Sequence, residues 1–461
     1  MHTQKFTSAQ KKILLCVSIT GFMSLLDAYI VNISLPIIAE YFSVSASVIV
    51  RISLLFLLVM TVSIPIWGKL GDLFGLKKIF IIGYITFILS SLLCGFAPTV
   101  VWLIIGRGIQ GIGAGMLVVS APAFIVRYIP EQLRGTAFGI QSTTAALGLI
   151  IGAPLGGIIT EALTWHAIFL INIPIGLVVL ILGWRILPSN DALPSPQREK
   201  FNFDYRGTIM MIVGLSMLII AINLGTKAGW NLFTIITLIA SIIILLLFVL
   251  YERSIAQPIL PIKIFLNARF CSGFIASIAL FTVLSGNNFV MPFQITRLLK
   301  VSTGNAGFLM LAFSLTYALL SVIAGKLSDR VNPAYLAATG ATCGAISCAV
   351  FAFFIPEKSV IITTLFLICL GGSFAAFVAP TNKLVMGPVT KTNAGAASAI
   401  YRTGMTLAAL LGVALFDAIL ASSNNSMSPA SFQRVYYFAV FPLLMATLAI
   451  SYLWMAKFSK Q

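Results

Sequence analysis

Two ionisable side chains stand inside otherwise apolar runs: Asp27 in GFMSLLDAYIVNISLP and Arg107 in WLIIGRGIQGIGAG. Desolvation favours a neutral acid and a nearby guanidinium favours the anion, so a carboxyl caught between the two can trade a proton with water. Such a pair has two readings, a structural ion pair and a proton-coupling pair, and ionisable residues within apolar spans mark function by default. Around it stand Tyr29, Asn32 and Gln110, and a second group of Asn287, Asn288, Met291 and Gln294 follows later in the chain. These seven are candidates for lining a substrate path. Their competing role is hydrogen bonding between helices, worth about 0.6 to 2 kcal/mol each.

The residues 106 to 111, GRGIQG, also fit the glycine spacing that cradles a pyrophosphate. That fingerprint has meaning only after a strand, at the mouth of a helix, and with an acid about 20 positions on. Here the run lies within an apolar stretch and has no suitably placed acid, so nucleotide binding is rejected. Gly111 and Gly115 instead give the small-x-x-x-small spacing that lets membrane helices approach closely. The six cysteines lie in or beside apolar stretches without C-x-x-C pairing or a histidine partner, which reads as neither a metal site nor a disulfide framework.

The elements that hold these residues must be membrane helices. The chain has 461 residues, 59% hydrophobic and 9% charged, and a mean hydropathy of +1.05. A bilayer core about 30 Å thick needs roughly 20 apolar helical residues per crossing, and such runs recur from about 13 to 35 through to about 435 to 456, fourteen in all. The net charge of +17 is a topology signal, because 21 of the 29 basic residues fall on the cytoplasmic side if both termini are cytoplasmic. A nucleic-acid partner is therefore not expected. No break is long enough for a soluble catalytic domain, and no P-loop offers ATP as an energy source, so an enzyme is not expected either. The expected location is the inner (cytoplasmic) membrane.

The longest polar stretch, LPSNDALPSPQREKFNFDY at 188 to 206, reads as a linker. On either side of it a G-K-L-x-D loop follows a second span, GKLGDLFGLKK at 68 to 78 and GKLSDR at 325 to 330. The repetition implies two parallel six-helix units. The expected organisation is a bundle at 1–187, the linker at 188–206, an inserted two-helix hairpin at 207–251 and a second bundle at 252–461.

These motifs, together with LDAYIVNISLP (26 to 36), LIIGRGIQGIGAG (103 to 115), GLIIGAPLGG (148 to 157), WHAIFLINIPIG (165 to 176), FDYRG (203 to 207) and ERSIAQPILPIKIF (252 to 265), resemble the major facilitator superfamily, in its fourteen-helix drug:proton antiporter branch. The resemblance implies an all-α membrane protein that exports small amphipathic or cationic compounds by alternating access. It is driven by the proton gradient, without a cofactor, with substrate, protons and the lipid bilayer as partners, and is expected to be a monomer. An exporter of a metabolite, siderophore or lipid-like molecule is the alternative. It implies that Asp27 and Arg107 couple protons, and that Gly148, Gly152, Pro154, Gly156 and Gly157 form the antiporter motif. Gly68, Asp72, Gly75, Lys77 and Asp329 form a conformational latch, weakened where lysine replaces the forked arginine. Asn32 and Gln110 match motif positions, while Tyr29 stands where threonine is common. Arg402 lies about one turn before the arginine expected in its helix, Asp417 is read as interfacial, and His166 as a packed loop residue.

Overall fold

A chain with this much apolar helix-length sequence must satisfy its backbone within each segment, because lipid offers no hydrogen bonds. The computed structural model describes residues 6–189, 203–228, 231–255, 258–260, 262–386, 394–422 and 427–458. Most of the expected linker, residues 190 to 202, lies outside them. The first bundle contains α1 (Ser8–Tyr41), α2 (Ala46–Phe74), α3 (Leu76–Gly95), α4 (Val100–Tyr128), α5 (Glu131–Ala162), the short α6 (Ala167–Leu170) and α7 (Asn172–Ile186). The hairpin is α8 (Tyr205–Ala228) and α9 (Leu232–Ser254). The second bundle contains α10 (Ala268–Phe293), α11 (Thr303–Arg330), α12 (Pro333–Phe354), α13 (Val360–Met386), α14 (Ala394–Ala421) and α15 (Pro429–Phe458). With α6 and α7 forming one crossing, fourteen segments among the described residues are long and apolar enough to span a membrane. The end of the molecule where α1 starts is called the near end, and the opposite one the far end.

Local chemistry sets many of the boundaries. Thr7 and Gln10 form a reciprocal capping box at the start of α1, and Thr99, Asn231, Asn267 and Ser302 each accept a backbone N–H at the start of α4, α9, α10 and α11. Gly75 is the single residue between α2 and α3 and has φ 98°, a conformation that side-chain-bearing residues avoid. Its amide donates to Gly71 O at 2.9 Å. The glycine expected in the latch therefore has a conformational reason of its own. Pro292 near the end of α10 is followed by a π turn over Gln294–Leu298.

Close backbone approach positions the charged helices. A Cβ on Gly111 or Gly115 of α4 would press on Phe56 O or Ser63 Cβ of α2. Gly148, Gly152 and Gly156 of α5 meet α1 in the same way, at Phe22, at Leu26 and Tyr29, and at Ile30 and Ile33. Glycine on one face thus lets α5 lie against the turn of α1 that bears Asp27. Helices α2 and α14, and α5 and α11, pack across the two bundles, and α8 lies against both α2 and α14.

Candidate functional site

Asp27 and Arg107 meet deep in the first bundle, 1% and 2% exposed. Arg107 Nη1 donates to Asp27 Oδ2 at 2.9 Å and to Gln110 Oε1 at 2.5 Å. Asn172, at the start of α7, donates from Nδ2 to Asp27 Oδ1 at 2.7 Å. Gln110 Nε2 reaches the same oxygen at 3.4 Å and Ser91 Oγ at 2.9 Å. Every group aimed at Asp27 is a donor, an environment that suits the ionised carboxylate, which only accepts. The guanidinium carbon lies 3.9 Å from the Phe56 ring centroid and 5.9 Å from that of Phe169, so aromatic faces supply part of the solvation that water cannot.

Two atoms of this network have no partner: Arg107 Nε and Asn172 Oδ1. A buried donor and a buried acceptor left open make the cluster a place where a small rearrangement gains hydrogen bonds. Gln110 and the Phe56 ring hold the same guanidinium at the same time as Asp27 does.

The other candidate side chains divide. Asn288 Nδ2 of α10 donates to Tyr29 Oη of α1 at 2.9 Å, a bond across the two bundles. Tyr436 Oη donates to Asn287 Oδ1 at 3.1 Å, inside the second bundle. Met291 and Gln294 are 0% and 1% exposed, and Gln294 Oε1 has no partner. Asn32 is half-buried. Among the latch residues, a Cβ on Gly68 would lie 3.6 Å from Val119 Cγ1 of α4, and Lys77 lies in the first turn of α3. Asp72 and Asp329 lie in α2 and α11, with their side chains outside the described part. Arg402 is half-buried in α14, next to Tyr401, whose hydroxyl lies 3.2 Å from Ser277 Oγ of α10. Asp417 departs from expectation: it is 2% exposed, because the far part of α14 is covered by α10 and α15, with Phe416 against Gly286 and Phe438.

At the far end the bundles are joined. Glu161 at the end of α5 accepts the Gly304 amide at 2.6 Å and the Ser302 hydroxyl at 3.3 Å, at the start of α11. Arg297 pairs with Glu40 at 3.1 Å and donates to Pro36 O at 3.1 Å. Gly157 faces Thr303 O, and Gly307 faces Ala153 O. A crevice of about 310 Å³ lies among these groups, lined by Pro36, Glu40, Glu161 and Arg297. Pro154 and Gly157 therefore belong to the contact between bundles, whereas Gly148, Gly152 and Gly156 set α1 against α5. Nearby, His166 stacks on Trp165 at 3.7 Å and meets Tyr41 edge-on at 5.6 Å. Burial holds its imidazole below the ordinary histidine range.

Asn172, Ser91 and Phe56 belong to the site without standing out as candidates in the sequence. Asn172 carried a faint signal, as the only amide in the apolar run from 167 to 184. Ser91 and Phe56 carried none, since serine and phenylalanine are ordinary in such helices.

Among the described residues, the bundle of membrane-length helices buries one ion pair, between α1 and α4. The sequence matches the Major Facilitator Superfamily over residues 17–259 and 269–460, and the chain belongs to that family. It is 29% identical over 411 residues to the riboflavin transporter RibZ of Clostridioides difficile, covering 89% of this chain and 88% of the relative. It is 32% identical over 320 residues to the multidrug transporter protein MdtP of Bacillus subtilis, covering 68% and 57%. It is 28% identical over 404 residues to the multidrug export protein EmrB of Haemophilus influenzae, covering 87% and 78%. Among solved structures, a D-xylose–proton symporter shares the fold with a TM-score of 0.69 at 17% identity, over 97% of this chain and 98% of that one.

Proposed function

We propose that this protein is a proton-coupled antiporter that exports small amphipathic or cationic compounds, with the near end cytoplasmic. The observation that carries the reading is the buried carboxylate of Asp27, held by Arg107 at 2.9 Å and Asn172 at 2.7 Å. In lipid-shielded surroundings a carboxylate and a guanidinium stabilise each other strongly, and protonating the acid leaves the cation to find other partners. Gln110 and the Phe56 ring, which already hold the cation, then remain as its partners. Protonation thus exchanges one packed arrangement for another, which is what an acid needs in order to bias a two-state transporter. The Tyr29–Asn288 bond at 2.9 Å lies two residues further along α1 and crosses between the bundles, so movement of α1 reaches the second bundle directly.

The direction of transport and the breadth of substrate rest on the relatives named as multidrug transporters and on the glycine-rich face of α5. Substrate and proton compete through the state of Asp27, and the closed far end with Glu161 on the α11 amide is one of the two states between which the transporter alternates. A second reading, transport of a heteroaromatic metabolite, is favoured by the riboflavin transporter, which matches over most of both chains.

The test uses inverted membrane vesicles with an imposed pH gradient. Asp27→Asn is expected to abolish uphill dye or drug accumulation while leaving downhill equilibration measurable; undiminished uphill transport by the variant ends the coupling role. Riboflavin and cationic dyes compared in the same vesicles separate the two substrate readings.

A further inference from the structure

The inserted hairpin carries a second pair of ionisable groups, away from Asp27. At the near end, Asp204 immediately precedes α8, and its Oδ1 accepts the Gly207 amide at 2.8 Å. Its other oxygen, Oδ2, has no partner, although the residue is only 7% exposed. Glu252, near the end of α9 and 2% exposed, accepts the amides of Leu260 at 3.0 Å and Ile259 at 3.4 Å. The two carboxyls are within hydrogen-bonding reach of each other. Asp204 Oδ2 and Glu252 Oε1 both lie within 2.6 Å of the point where a Cβ on residue 207 would stand. Only glycine leaves that space open.

Two carboxylates this close cannot both be ionised out of water unless a cation intervenes. No ion pair engages either of them among the described residues. The neighbouring groups are Tyr251 of α9, whose hydroxyl is within hydrogen-bonding reach of Asp204, and Arg206 of α8, whose charge is felt at Tyr251. From α2, α14 and the 258–260 turn, only backbone amides act on Glu252. A proton on either acid lets it donate to the other across the space between Asp204 Oδ2 and Glu252 Oε1.

We propose that Asp204 and Glu252 hold a single proton between them, forming a proton-binding site distinct from Asp27 that clasps the base of the inserted hairpin. The clasp joins the residue that opens α8, the last turn of α9 and the turn leading into the second bundle. Its place gives it consequence, because α8 packs against α2 and α14 where the two bundles meet, with Met211 and Leu215 in one cluster with Val62 and Leu407. Loss of the proton leaves two anions facing each other and loosens a strut laid along that joint. The sign is the reverse of a carboxylate held by a cation: the clasp is intact at lower pH and weakens as pH rises.

The experiment is infrared spectroscopy of purified protein in lipid nanodiscs at about pH 7, where an isolated surface carboxyl is ionised. Asp204→Asn and Glu252→Gln are near-isosteric, and in each the new amide donates to the remaining carboxylate in place of the proton. Each variant is expected to lose one carboxyl equivalent from the protonated-carboxyl band, with Asp27 and Asp417 cancelling in the difference spectrum. The unaltered protein is expected to lose unfolding temperature between about pH 6 and about pH 9, and each variant is expected to lack that fall. An unchanged carboxyl band in either folded variant overturns the proposal. Repeating the measurement in an Asp27→Asn background keeps the result separate from the fate of the antiport reading.

Discussion

Asp27 has one cation and two amides around it, and their individual contributions can be separated because each makes a different bond. Removing one member of a buried ion pair leaves an uncompensated charge, at a cost of about 3 to 5 kcal/mol. Arg107→Met is therefore expected to lower the unfolding temperature sharply, and Asp27→Leu added to it is expected to restore most of the loss. A double-mutant cycle in detergent measures this, and simple additivity of the two changes would contradict the pairing at 2.9 Å. Asn172→Leu removes the 2.7 Å bond but no charge, for a smaller cost of about 1 to 3 kcal/mol. Its effect on transport is predicted to appear as a shifted pH profile, because one donor that favours the anion is gone. The charged pair could be read from the sequence because each charge stands alone in an apolar run. Asn172 could not be assigned, because α7 meets α1 only through the tertiary packing.

At the scale of helices, the glycines of α5 divide into two jobs by the direction each faces. Gly148 meets the backbone of α1 at Phe22, so Gly148→Val overpacks the first bundle at a cost of about 1 to 3 kcal/mol and displaces the turn that carries Asp27. Gly157 meets Thr303 O and the Gly304 Cα at the far end, so Gly157→Val is expected to part the bundles there and favour the far-open state. Thiol labelling of a cysteine placed at Ser302 measures that: labelling should rise with Gly157→Val and stay at its starting level with Gly148→Val. The spacing of the motif was legible from the sequence, but the opposed facing of Gly156 and Gly157 depends on which helix lies on each side. His166, stacked on Trp165, adds a pH term at the same end. Burial holds its folded-state value down, so the packing it supplies is present above the ordinary histidine range near 6.5 and is lost as pH falls through the lower folded value. His166→Gln is expected to flatten that acid-side decline in thermal stability.

For the whole molecule, Asp27 is the sole acid deep in the first bundle among the described residues, so exchange of one proton for one monovalent cation moves no net charge. Uptake of a cationic dye into inverted vesicles is predicted to follow the pH gradient and to ignore an imposed membrane potential at fixed pH gradient. A potential of 100 mV acting on one net charge is worth about 2.3 kcal/mol, which such an assay reads readily, and a clear response to it would contradict the stoichiometry. Reporter fusions at the two ends of the chain test the orientation, with both expected on the cytoplasmic side.

Fourteen segments long and apolar enough to cross a membrane are legible in the sequence, because apolar length is a local property of each segment. Asp27 and Arg107 are picked out in the same way, since a charge in an apolar run is visible without knowing its neighbours. Packing of the helices sets which side chains meet. It set Asn172 on Asp27, Tyr29 on Asn288, Glu161 on the first amides of α11, and Asp204 beside Glu252. These partners lie far apart along the chain, and the helices of a membrane bundle choose their neighbours by small-residue packing and polar fit, which no single segment contains.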